Sequence, residues 1–395
     1  MGRFCTITST NGIFLKSMKG NRFTKWALCL LAACGMMLSS CSQKTEQLEG
    51  FKIKRGTNLS HWLSQSQVRG EARANHIQED DFARLHELGF DHVRIPIDEE
   101  QFWDEDGNKL QEAWDLLTNA LDLARKYEIR AIVDLHVIRS HNFNAVNMGM
   151  KNSLFTDDAA QQQLIDMWYQ LSDVLKDYST DWVAYEFMNE PVADDHEQWN
   201  LIIEKVHKAL REREPNRTLV IGSNLWQGVQ TFKYLRVPEG DPNIILSFHY
   251  YNPMLLTHRG AFWTPIGSYT GSITYPGKMI TEEDLAEAPE ELQNELQQYV
   301  ETEWNRETIH SQMKDAIDVA ARYGLQLFCG EWGVYEPVDR ELAYAWTKDM
   351  LSVFDEFDIA WTTWCYDADF GFWDQDKNDY KDKGLVDILL SGKGL

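Results

Sequence analysis

What most constrains this chain is a repeated exchange, from Phe51 onward, between short runs that are apolar throughout and longer segments with helical spacing. Eight runs stand out as strand candidates: Ile53–Asn58, His92–Ile97, Arg130–His136, Val183–Met188, Thr218–Gly222, Ile244–His249, Gln326–Gly330 and Ile359–Trp364. A strand apolar on both faces belongs in a parallel sheet that is covered on both sides. Between the runs, positions such as Leu164, Met167, Trp168, Leu171, Val174, Leu175 and Tyr178 fall along one helical face. Gly89 and Gly324 sit just past periodic stretches and just before strands, where a left-handed residue closes a helix. Eight βα units without a Gly-rich phosphate loop favour an α/β closed barrel, the (β/α)8 TIM barrel, over a doubly wound sheet. No linker or change of composition follows Gly50, so residues 51–395 read as one domain. The connection Tyr250–Trp304 is too long for a simple βα loop. It carries Trp263, Tyr269 and Tyr275, then an acidic stretch, Glu282–Val300, that predicts a helix. Long rim loops are natural places for ligand contacts.

The first 40 residues read as an address. Lys19, Arg22 and Lys25 precede the apolar run Trp26–Leu38, which is short for a membrane span and suits a signal peptide. The run ends in Leu38-Ser39-Ser40-Cys41, which resembles the lipobox of bacterial lipoproteins and implies a lipidated Cys41. Leu31-Ala32-Ala33-Cys34 is a second candidate that would cut the apolar run short, and Met18 is an alternative start. Residues 41–50 read as a tether. The expectation is an exported protein held in a bacterial envelope, at the outer membrane, by the lipid on Cys41. Nothing implies a protein partner, so a monomer is expected.

The formal charge of −24 argues against nucleic acid as a partner, since phosphate recognition needs clustered Lys and Arg. Of six cysteines, only Cys329 and Cys365 fall in the predicted domain, both in apolar runs. They read as buried small hydrophobes rather than a disulfide or a nucleophile. No CxxC or HExxH spacing suggests a metal, and no cofactor is implied.

In a barrel of this kind, chemistry belongs where the strands end at the C-terminal face. The polar residues there are Asn58, His61, Arg94, His136, Asn189, Glu190, Asn224, His249, Tyr251 and Glu331, with Trp62, Trp226, Trp332 and Trp364 among them. Two carboxylates ending separate strands, ringed by Arg, His, Asn, Tyr and Trp, match what glycoside hydrolysis needs. One acid protonates the leaving oxygen, and one carboxylate faces the anomeric carbon. Asp134 reads as a strand anchor.

Phe187-Met188-Asn189-Glu190-Pro191 resembles the N-E-P signature of glycoside hydrolase family 5, the cellulase family. Val93-Arg94-Ile95-Pro96, Asp134-Leu135-His136, His249 with Tyr251, Gly330-Glu331-Trp332-Gly333 and Trp364 are similar to its further motifs, in order, over Phe51 to Trp364. The resemblance implies Glu190 as acid/base and Glu331 as nucleophile. It also implies Asn189 on a sugar 2-hydroxyl, Arg94 and Tyr251 steadying Glu331, His136 and His249 orienting sugar and acid, and Trp364 as a subsite floor. Trp226 is the first choice among further stacking platforms, ahead of Trp62, Trp263, Tyr366, Phe370 and Trp373.

The leading expectation is an endo-acting β-1,4-glucanase that retains configuration, with carboxyl groups about 5 Å apart, against about 6.5 Å or more for an inverting enzyme. β-Mannanase, xyloglucanase and exo-β-1,3-glucanase share these motifs. Asn58–Leu63 is similar to the first strand of the exo-glucanase branch. A surface lipoprotein that binds glycan without cleaving it is the reading from another class; it would need the aromatic platforms but neither carboxylate.

Overall fold

The computed structural model describes residues 50–145 and 149–391. The expectations for the signal segment, Cys41 and most of the tether lie outside them. No helix among the described residues is long and apolar enough to cross a membrane.

Eight parallel strands close into a barrel in chain order: β1 (Arg55–Asn58), β2 (His92–Asp98), β3 (Arg130–Val137), β4 (Val183–Glu186), β5 (Leu219–Gly222), β6 (Ile244–His249), β7 (Gln326–Trp332) and β8 (Ala360–Thr363). β1 closes the ring by pairing with both β2 and β8. A small antiparallel ribbon, β9 (Trp373–Asp374) with β10 (Asp379–Tyr380), lies beyond β8. All eight predicted strands are present, Ile244–His249 unchanged and the others with ends moved by one or two residues.

Helices follow most strands, and their ends show why they begin and stop. Helix Asp158–Leu175 is capped by the Asp157 side chain, and helix His196–Arg213 by a reciprocal Asp195–Gln198 box. Gly324 closes helix Arg306–Tyr323 at φ 65°, and Gly89 adopts φ 76° just past helix Glu79–Glu87. Two expectations need correction. Glu282–Val300 forms two helices, Glu282–Glu287 and Glu290–Glu301, because Pro289 pushes Ala288 out of helical geometry. The unit after β5 has no full helix; a four-residue turn, Asn224–Gln227, leads into a 3-10 helix, Val229–Tyr234.

Side chains alternate along each strand, so every second residue points into the barrel. At the floor, Phe51, Ile53, Ile132, Ala184, Val220, Ile245, Phe328 and Ala360 form a separate apolar cluster. Each fully buried large side chain there contributes about 1.5–3 kcal/mol. Two residues further toward the mouth, the inward positions become Asp134, Glu186, Gly222, Ser247, Gly330 and Thr362. The barrel axis thus runs from a hydrocarbon floor to a polar mouth. Cys329 and Cys365 are buried free thiols.

Candidate active site

Arg94 on β2 is fully buried and organises the mouth. Its Nη1 donates to Glu331 Oε1 at 2.9 Å and to Asn58 Oδ1 at 3.0 Å. Nε donates to Glu186 Oε2 at 2.7 Å, while Nη2 reaches Asn189 Oδ1 at 2.8 Å and Asp134 Oδ2 at 3.0 Å. Only a guanidinium offers five donors in a rigid fork, so one residue serves five partners here. Burial opposes its charge, but Asp134, Glu186 and Glu331 outweigh that and raise its pKa.

Glu331 lies within β7, and Glu190 lies just beyond β4 with φ 47°. One oxygen of each and a ring nitrogen of His249 all lie within 4.8 Å of one another. His249 Nδ1 is 2.8 Å from Glu190 Oε1 and 3.6 Å from Glu331 Oε2. Tyr251 donates to Glu331 Oε2 at 3.2 Å, so Arg94 and Tyr251 hold one oxygen each. Among the described residues, Glu190, His249 and Glu331 are also the group whose donor atoms converge enough to hold a metal ion. The hydrogen bond between His249 and Glu190 already accounts for that closeness.

The electrostatics are unequal. Burial, and then the charge of Glu331, hold the Glu190 carboxyl well above the usual range. Burial also raises Glu331, but the permanent charge of Arg94 opposes it, so Glu331 ionises first. Burial pushes His136 down to about 3 and His249 well below its ordinary value, leaving both neutral near pH 7. Asp134 is raised to about 7 by burial, against the pull of Arg94.

Asn189 accepts from Arg94 through Oδ1, which turns its NH2 group away from the guanidinium. Trp364 stacks on His136 with centroids 5.6 Å apart and planes 7° from parallel. Both nitrogens of His136 are engaged, by Asp134 Oδ2 and by Gln65 Nε2, each at 2.7 Å. It supports the Trp364 ring rather than offering a free group to a ligand. Trp226 is 41% exposed and anchored by Nε1 to Phe143 O at 3.1 Å. Three candidate platforms are instead structural. Trp62 is buried and donates to Arg73 O, Tyr366 is buried against Asp81, and Trp373 lies buried beneath Arg84. Phe370 is buried between Tyr251, Trp263 and Tyr335.

Glu186, Gln65 and Gln227 were not singled out from the sequence. Glu186 left one readable trace: a carboxylate at an inward position of an apolar strand needs a cation facing it.

The cellulase family model, glycosyl hydrolase family 5, matches residues 45–370. The chain belongs to that family and is a glycoside hydrolase. It is 29% identical over 348 residues to endoglucanase C of Acetivibrio thermocellus, covering 86% of this chain and 99% of the relative. It is 29% identical over 316 residues to cellodextrinase A of Ruminococcus flavefaciens, covering 79% and 85%. A solved hyperthermophilic endo-β-1,4-glucanase in complex with substrate superposes with a TM-score of 0.68 at 25% identity, covering 86% and 96%.

Proposed function

We propose that the enzyme is an endo-β-1,4-glucanase acting with net retention, Glu331 as nucleophile and Glu190 as acid/base. The observation that carries the mechanism is that one oxygen of Glu190 and one of Glu331 lie within 4.8 Å of each other, leaving no room for a water positioned between the two groups. Retaining enzymes keep the pair about 5–5.5 Å apart, whereas inverting enzymes leave about 6.5–9.5 Å for a water.

In the first step a Glu331 oxygen bonds to the anomeric carbon. The bond to the leaving oxygen breaks, and that oxygen takes the Glu190 proton. A water then replaces the leaving group, gives its proton to Glu190 and displaces Glu331. Arg94 and Tyr251 keep the nucleophile ionised and aimed. Neutral His249 at 2.8 Å fixes the acid without neutralising it. The NH2 of Asn189, turned away from Arg94, suits a sugar 2-hydroxyl, and Trp364 with its His136 backing suits a ring floor.

The names of the curated relatives support a β-1,4-glucan as substrate. Reducing-sugar release and viscosity on carboxymethylcellulose, mannan, xyloglucan and laminarin test this. Fast viscosity loss on carboxymethylcellulose is expected. Release from laminarin alone points to β-1,3 cleavage, and release from none to a glycan-binding protein. We also propose that Cys41 is lipidated and holds the enzyme in a bacterial envelope; Cys41→Ser should move it from the membrane fraction to the soluble one.

A further inference from the structure

Three consecutive residues after β5, Leu225, Trp226 and Gln227, adopt left-handed backbone with φ of 56°, 59° and 52°. Side chains with a Cβ rarely do this singly, and such runs persist only where surrounding bonds hold them. The bonds here lace the β5 loop to the acid's loop. Trp226 N donates to Pro191 O at 3.2 Å. Asn224 accepts from Ala193 N at 2.8 Å and donates back to Ala193 O at 2.9 Å. Gly228 pairs with His249 at the end of β6.

The consequence of the turn is that Gln227 points inward and is fully buried. Its Oε1 accepts the backbone N–H of Glu190 at 2.9 Å. Its Nε2 donates to Glu186 Oε1 and to Ser247 Oγ, each at 3.1 Å. The amide cannot turn over, because Oε1 would then face the Glu186 carboxylate. Space for it exists because β5 has Gly222 at this layer; a Cβ there would lie 2.5 Å from Gln227 Cγ.

We propose that Gln227 is the positioning residue for the acid/base, holding the left-handed backbone of Glu190 and joining it to the Glu186–Arg94–Glu331 chain. Because Trp226 is the next residue in the same turn, an aglycone sugar stacked on its exposed ring bears directly on the acid. Leaving-group binding and proton delivery are coupled through one turn. This rests on the reading of Glu190 as the acid.

The test compares a cello-oligosaccharide, whose leaving group needs a proton, with 2,4-dinitrophenyl β-cellobioside, whose leaving group does not. In Gln227→Met, kcat/KM should fall roughly 10- to 100-fold on the oligosaccharide and less than about 3-fold on the dinitrophenyl glycoside. Gln227→Glu keeps an acceptor for the Glu190 N–H. Protonated, it also keeps a donor to Glu186, so it should recover activity toward acidic pH. Ser247→Ala frees one of the two donors and should show a smaller loss of the same kind, which keeps the test open if Gln227→Met does not fold. Equal losses on both substrates, or none on either, overturn the proposal. Glu190→Ala is the control: if it too loses both substrates equally, the assignment of the acid has failed rather than that of Gln227.

Discussion

The floor and the mouth of the barrel are built from the same strands, two residues apart, yet they obey different rules. At the floor, Ile132, Ala184, Val220, Ile245, Phe328 and Ala360 fill space, and their worth is the apolar surface they remove from water. At the mouth, Arg94, Asp134, Glu186 and Glu331 are buried as charges, which stabilises little and costs desolvation. The difference teaches where chemistry can live. Only the mouth holds carboxylates in unequal surroundings, so only there can one be an acid while its neighbour is a base.

Substitutions can break or sharpen that contrast. Glu331→Ala should lower turnover by on the order of 10⁴-fold or more, since it removes the covalent step. Its melting temperature should hold or rise, because a like charge leaves the neighbourhood of Asp134 and Glu186. A large fall in melting temperature would mean the mouth is a stabilising core after all. Glu190→Gln should lose about 10²–10⁴-fold on oligosaccharides. The wild-type profile should lose activity as pH rises through the raised pKa of Glu190, because the acid must be protonated. With a good leaving group, Glu190→Gln should lack that alkaline limb.

Arg94→Met strikes chemistry and fold together. It leaves Asp134, Glu186 and Glu331 buried without their cation and should cost about 3–5 kcal/mol. Their folded pKa values would rise further above the unfolded ones. The folded state would then bind more protons, and the variant's stability should fall as pH climbs above about 4. Denaturant melts at several pH values check this. The smallest catalytic effect belongs to the floor: Phe328→Ala should cost about 3–5 kcal/mol in stability, while kcat of the folded enzyme stays near wild type. A comparable loss of kcat would dissolve the distinction.

Much of this was legible beforehand because strand ends are where period and polarity change together. The Asn189-Glu190-Pro191 and Gly330-Glu331 positions each follow an apolar run, and Arg94 interrupts one. Hidden from the sequence are groups whose role depends on which residue faces them. Gln227 belongs to a turn that no local spacing announces, and Gln65 reaches His136 from another loop. Trp62, Tyr366 and Trp373 were expected among sugar platforms because an aromatic ring carries no mark of the face it will take. Their partners Arg73, Asp81 and Arg84 draw them inside. The break at Pro289 is readable from its own residue type, although the strong helix formers on either side mask it.

The division of labour between Glu331 and Glu190 is tested most directly by trapping. A 2-deoxy-2-fluoro cellobioside with a dinitrophenyl leaving group slows the second step more than the first. Peptide mapping by mass spectrometry after incubation should find one glycosyl group esterified to Glu331 and none on Glu190. A glycosyl group on Glu190, or turnover with inverted configuration and no adduct, would contradict the account.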